Sequence, residues 1–173
     1  MNDLADGIAI RRIDARDGAL LRELRMSSLA DAPDAFGQTV GQIRSRSDDT
    51  WRQAARQSAQ GDGRCWFFAT SEDQAIGVVQ GRRRPPTTLL VFSMWVDHRF
   101  RRQGVGRALI DRVETWARSW DGDRTVLWVL QANARAIEFY GDLGFEVIEA
   151  GEDAANGARF EALAMHRRIE PPD

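Results

Sequence analysis

The chain has 173 residues, 43% of them hydrophobic and 29% charged, which suits one soluble domain with one substantial core. All 24 basic side chains are arginine against 26 acidic ones, for a net charge of −2, so no global positive field draws the chain onto nucleic acid or an anionic membrane, and a lysine-dependent Walker phosphate loop is excluded. Cys65, the single cysteine, permits neither an intramolecular disulfide nor a cysteine-rich metal site, no metal is expected, and the acidic start with no apolar run near ~18 residues points to a soluble cytoplasmic protein.

In chain order, Ile8 to Ile13 alternates isoleucine with polar or small residues and predicts a first strand. From Asp17, Leu20, Leu21, Leu24, Ser28 and Leu29 recur at helical spacing until Pro33. Ser47, Asp48, Asp49 and Thr50 supply a cap and early acids for a second helix through Trp51 and Ala55, which Gly61-Asp62-Gly63 ends. Cys65 to Thr70 and Ala75 to Gln80 read as antiparallel strands joined by a polar turn. Thr88 to Val96 is a continuous apolar run, the mark of a central strand covered on both faces. Val105, Leu109, Val113 and Trp116 mark a helix, Thr125 to Leu130 a strand, and Ala134 to Leu143 a helix closed by Gly144. Phe145 to Ile148 and Phe160 to His166 give two last strands joined by a segment, Gly151 to Gly157, that reads as flexible. The order β-α-α-β-β-β-α-β-α-β-β predicts a single α+β domain with a mixed, mostly antiparallel sheet and helices on both faces.

Between the central strand and its following helix stands Asp97-His98-Arg99-Phe100-Arg101-Arg102-Gln103-Gly104-Val105-Gly106-Arg107. Glycines there let backbone approach a ligand, and the free N–H groups and dipole of a helix start suit a pyrophosphate, with Arg101, Arg102 and Arg107 as further charge. A dinucleotide fingerprint is disfavoured: its third small residue is replaced by Leu109, and the loop comes late in the chain. Further on, Asn133 is placed to cap a helix carrying Ala136, Phe139, Tyr140 and Leu143. Tyr140, the single tyrosine, has the ordinary phenol pKa of ~10 and suits a proton donor better than a base.

Together these segments resemble the GNAT superfamily of acyl-CoA-dependent N-acetyltransferases. Arg101-Arg102-Gln103-Gly104-Val105-Gly106 matches its R/Q-x-x-G-x-G/A loop, and Asn133 to Phe145 matches its N-x-x-A-x-x-F-Y-x-x-x-G-F segment. His98 stands where many members have proline, a change in loop stiffness more than in chemistry. The resemblance implies one acetyltransferase domain over residues 1–173 with acetyl-CoA as acyl donor. Backbone groups at Met94, Trp95 and Val96 would serve the acyl-pantetheine and thioester, and the Gln103, Gly104, Val105 and Gly106 turn the pyrophosphate. Asn133 would hold the pantetheine arm beside Ala136 and Phe139, and Tyr140 would be the general acid. The stretch Ser27 to Thr39 is similar to the region lying over the acceptor pocket.

The reaction so implied joins a primary amine of a small molecule or peptide to the acyl group by direct attack in a ternary complex. Asp97, His98, Glu23 and Asp34 are candidate bases, none singled out by sequence, and a water relay serves equally. Trp51 and Trp95 are the aromatic pocket candidates, Trp116 and Trp120 packing residues, Cys65 a buried hydrophobe and His166 a strand-end residue. Two other readings stand beside the enzyme: a non-catalytic acyl-CoA-binding regulatory module, and a protein-lysine or N-terminal acetyltransferase. The C-terminal strands would pair across a homodimer in the manner the resemblance implies.

Overall fold

The computed structural model describes residues 7–35, 38–72 and 74–171. Among them, the strands are β1 (Ile8–Arg12), β2 (Arg64–Ser71), β3 (Gln74–Arg84), β4 (Thr88–Val96), β5 (Arg124–Leu130), β6 (Glu146–Val147) and β7 (Ala162–Arg168). They form one sheet in the order β1-β2-β3-β4-β5-β7-β6, in which every pairing is antiparallel except β4 with β5. The helices are α1 (Gly18–Asp31), α2 (Val40–Arg44), α3 (Asp48–Gln60), α4 (Val105–Arg118), α5 (Ala134–Asp142) and α6 (Glu152–Ala158). The mixed, mostly antiparallel α+β sheet read from the sequence is the fold observed, and among the described residues no helix is long and apolar enough to cross a membrane.

Strand alternation sorts the core into two layers. Phe67, Val79 and Leu127 turn to the face covered by α4 and α5, where Leu109, Ile110 and Val113 meet them. Trp66, Phe68, Val78 and Trp95 turn to the opposite face and pack on Leu21, Leu24 and Leu29 of α1 and on Trp51 and Ala55 of α3. Fully buried side chains such as Phe68 and Leu109 each contribute about 1.5–3 kcal/mol by leaving water. Ser47 caps α3 by accepting from Thr50 N–H at 3.2 Å, ahead of Asp48 and Asp49 in its first turn. Trp116 and Trp120 pack edge to face at 5.5 Å.

Three expectations need correction. Strand β4 lies at the centre of the sheet, yet Phe92, Ser93, Met94 and Val96 are only half-buried, because β4 pairs with β5 only from Thr88 to Leu90 and then parts from it. The segment Gly151 to Gly157, read as flexible, contains α6, whose Asp153 takes both arms of Arg84 at 2.6 and 2.9 Å while its carbonyl accepts from Trp128 Nε1 at 3.0 Å. Helix α2 stands between the two helices read from the sequence and starts with a reciprocal cap in which Thr39 and Gln42 bond each other's backbone.

A buried ion pair fixes the far end of the fold. Arg167 on β7 donates to both oxygens of Glu114 on α4 at 2.9 and 2.7 Å and to Leu143 O, at the end of α5, at 2.6 Å. Glu114 also accepts from Thr125 Oγ1 at 2.6 Å, and its side chain is only 4% exposed. Removing one partner strands the other charge, so Arg167→Met is expected to cost about 3–5 kcal/mol. Thermal unfolding followed by circular dichroism should show the melting point fall by roughly 10 °C.

Candidate active site

The cleft begins where β4 leaves β5. Ser93 has φ 54, and the β3–β4 register slips between Val78 and Gln80, so one extra residue on β4 makes a bulge that bends the strand away from its parallel neighbour. Beyond the bulge, Asp97 N–H donates to Ile76 O at 2.8 Å and Trp95 stands opposite Val78. Antiparallel alternation therefore keeps the backbone polar groups of Trp95 in the ladder with β3 and turns those of Met94 and Val96 toward the gap. The Val96 carbonyl already accepts from Arg101 Nε at 2.9 Å. Of the three residues expected at this strand end, Met94 and Val96 thus turn their backbone groups to the gap, and Trp95 keeps its own in the ladder.

Asp97 caps a short 3-10 turn, His98–Phe100, by accepting from Arg99 N–H at 2.9 Å, and the chain then turns through Arg102 at φ 61 and Gly104 at φ 81. Ala108 N–H is bonded to Gly104 O at 3.0 Å, so the N–H groups of Val105, Gly106 and Arg107 precede the helical ladder, and α4 has neither a capping side chain nor an acid in its first turn. Space around Gly104 is open: a Cβ at this position would meet nothing within 4 Å. At Gly106 a Cβ would lie 2.9 Å from Phe139 Cζ and 3.3 Å from Met94 Cε, which explains the small residue and brings Met94, Gly106 and Phe139 together. Arg102 and Gln103 are exposed, with Gln103 Nε2 donating to Arg99 O at 3.0 Å, and Arg107 is half-buried. Arg101 is spent elsewhere, on the Val96 carbonyl and on Asp31.

A long unprotected helix start, a glycine without Cβ and nearby arginines fit a pyrophosphate. The N-terminus of α5 adds to this: Asn133 Oδ1 accepts from Ala136 N–H at 3.2 Å, leaving its amide nitrogen for a ligand in the adjoining cavity.

That cavity has a volume of about 580 Å³ and passes through the sheet opening. On the α4–α5 side it is lined by Met94, Asn133, Ala136 and Tyr140. Tyr140 is 7% exposed, stacked edge to face between Phe139 and Phe145 at 5.1 and 5.5 Å. Burial alone pushes its phenol well above the ordinary range, with no charge or hydrogen bond offsetting it. On the α1 side the walls are Arg25, Gln38, Gln80, Arg82, Phe92 and Trp128.

The candidate bases disperse. The Arg99 guanidinium beside Asp97 holds its carboxyl down at about 2, which makes it a fixed anion at neutral pH and a poor proton acceptor. His98 is exposed, 3.5 Å from Asp97 and 4.0 Å from Asp31. Glu23 opens onto a separate cleft lined by residues of α1, α2 and α3, and the side chain of Asp34 lies outside the described residues. Among the described residues no carboxylate lines the cavity. The tryptophan expectation is also corrected: Trp51 and Trp95 are buried among α1, α3 and the sheet, Trp95 donating to Asp31 Oδ2 at 2.9 Å, while the cavity takes its aromatic surface from Phe92, Trp128 and Phe160. Those three, with Arg25 and Arg82, are what sequence reading missed. Cys65 is fully buried and its thiol is pushed up to about 11 by burial, so it stays inert; His166 sits half-buried in β7.

Comparison with known proteins agrees with this geometry. The model of the acetyltransferase (GNAT) family matches residues 27–145. The L-amino acid N-acetyltransferase AaaT of Escherichia coli (strain K12) is 28% identical over 169 residues, covering 92% of this chain and 97% of its own. Among solved structures, a GNAT-family acetyltransferase from Streptococcus pneumoniae superposes with a TM-score of 0.75 at 21% identity, covering 94% of this chain and 99% of its own. The PaiA N-acetyltransferase from Thermoplasma acidophilum, solved in complex with coenzyme A, gives 0.74 at 16% identity over 93% and 98%. With its strand bulge, open helix start and matched segment spanning both, this chain belongs to the acetyltransferase (GNAT) family.

Proposed function

We propose that the chain transfers an acetyl group from acetyl-CoA to a primary amine of a small molecule by direct attack in a ternary complex. The observation that carries this reading is the cavity at the β4–β5 opening, which runs from Met94, Asn133 and Tyr140 on one side of the sheet to Arg25, Gln80 and Trp128 on the other, with the uncapped start of α4 next to it where Gly106 meets Met94. The donor assignment rests on the family and on the coenzyme A complexes among its structural neighbours. A relative named as an L-amino acid N-acetyltransferase, similar along nearly its whole length, supports a small-molecule acceptor.

When bound, acetyl-CoA supplies the activated acyl carbon. The N–H groups of Val105, Gly106 and Arg107 hold its pyrophosphate, Asn133 its pantetheine arm, and Met94 and Phe139 flank its path. Val96, with its backbone N–H turned to the gap, polarises the thioester carbonyl. The amine nitrogen attacks the carbonyl carbon, the C–S bond breaks, the thiolate takes the proton of Tyr140, and water removes the surplus proton from nitrogen. With no carboxylate in the cavity, a water relay to solvent fits the described residues better than a side-chain base.

Thiol release from acetyl-CoA, followed with a panel of primary amines, tests the reading. Release that depends on an added small amine supports it; tight acetyl-CoA binding without release for any amine or peptide leaves a binding module instead.

A further inference from the structure

Among the described residues, the acceptor chamber is lined by two arginines and no carboxylate, on a protein whose overall charge is negative. Arg25, on α1, lines it although only 3% of the residue is exposed, and it donates to Ser28 Oγ and Gln38 Oε1, both at 3.3 Å. Arg82, on β3, stands at its rim, donating through Nε to Gln80 Oε1 at 3.0 Å with its guanidinium 5.0 Å above the Phe92 ring. That hydrogen bond uses only Nε, and among the described residues no carboxylate reaches Arg82 within ion-pair distance, so its terminal N–H groups are available. Both arginines hold their charge against opposition: burial, then Arg46, pushes Arg25 down to about 10, and burial, then Arg64, lowers Arg82. A partly desolvated guanidinium with terminal donors to spare, backed by a second cation in the same wall, favours an anion. Beneath Arg82, Phe92 stacks on Trp128, ring centres 6.0 Å apart and 21° from coplanar, and Phe160 adds an apolar rim that is 72% exposed.

We propose that the acceptor carries a carboxylate bound by Arg82 within the field of Arg25 and an apolar or aromatic side chain laid on Phe92 and Trp128, so that the enzyme acetylates free apolar α-amino acids and rejects polycationic amines. This deepens the N-acetyltransferase reading above and rests on it. The carboxylate takes the terminal donors of Arg82, and the chamber lies beyond the sheet opening from Tyr140, so an acid held there can present its α-amine toward the thioester. A polyamine would instead place further positive charge beside two guanidinium groups, a repulsion that selects against it.

The test compares thiol release with L-leucine and L-phenylalanine, with their carboxamides and with spermidine, at a pH high enough that the α-amines are largely unprotonated. The acids should exceed their amides in kcat/KM by about tenfold to a hundredfold, the range for losing a charge-assisted hydrogen-bonded pair, and spermidine should be the poorest acceptor. Arg82→Gln should erase the difference by raising KM for the acids far more than for the amides, with the calorimetric affinity for acetyl-CoA kept; Arg82→Lys should restore part of the preference. Amides equal to the acids, or spermidine preferred, would overturn the carboxylate assignment while the acetyltransferase reading survives. A protein that binds acetyl-CoA and releases thiol with no amine at all would overturn both.

Discussion

Replacing Tyr140 by phenylalanine is expected to lower kcat by about a hundredfold to ten-thousandfold, the usual contribution of a positioned general acid, while acetyl-CoA affinity and melting temperature stay close to those of the parent. The hydroxyl is the only atom removed, and nothing in the fold leans on it: burial is the sole influence on its proton, and its ring is held by Phe139 and Phe145. A thiolate released in water has a proton affinity near a pKa of ~8.5, below that of a phenol at ~10, so transfer from Tyr140 is uphill there. Burial lifts the phenol further, and inside the cavity the thiolate loses solvation too, which raises its own affinity for the proton and offsets part of that rise. The pH dependence has a definite sign. Because burial raises the phenol pKa, the protonated, active form persists above the ordinary ~10, and no decline in kcat between neutral pH and that point can be assigned to Tyr140. Steady-state kinetics of both proteins over this range settle the role. A phenylalanine variant with parental kcat would make Tyr140 a packing residue; a variant that binds acetyl-CoA and has lost turnover separates an enzyme from a binding module.

Much of this site is written in short-range signals. Thr88–Val96 has the strand bounds expected from its apolar run, α4 starts at Val105 just after the glycine that leaves its first turn uncapped, and Asn133 caps α5 as its side chain dictates. Each depends on residues within a few positions of one another, where periodicity and capping chemistry operate. The bulge was not legible, because the positive φ falls on Ser93, a residue type with no marked preference for it. Without the bulge the divergence of β4 from β5 could not be foreseen, and an unbroken run of apolar or small side chains implied cover on both faces. Helix α6 was hidden by its glycines and shortness, and its position depends on Arg84, 69 residues away along the chain. The acceptor chamber is the extreme case: Arg25, Arg82, Trp128 and Phe160 come from α1, β3, β5 and the turn before β7, and no local pattern links them.

Gly104→Glu is expected to abolish measurable acetyl-CoA binding in a protein that remains folded, an affinity loss beyond a hundredfold. The position has φ +81, and a Cβ there would have nothing within 4 Å of it, so a side chain finds space but adopts a left-handed backbone at a cost of about 1–2 kcal/mol. A carboxylate beside a helix N-terminus recovers about 0.3–1 kcal/mol through the dipole, which is why the fold should tolerate the change. The same favourable interaction is what defeats binding: the carboxylate occupies the positive end of α4 and repels the pyrophosphate that would otherwise take the N–H groups of Val105, Gly106 and Arg107. Gly104→Ala carries the same backbone strain without the charge and should keep affinity within a few-fold of the parent, so the pair separates electrostatic blockade from local distortion. Calorimetric titration of all three proteins with acetyl-CoA gives the answer. Loss in the glutamate variant alone assigns the pyrophosphate to this turn. Equal loss in both variants means that turn geometry, not charge, governs the site. Undiminished binding by the glutamate variant would move the donor away from α4 and withdraw the roles proposed for its first-turn amides.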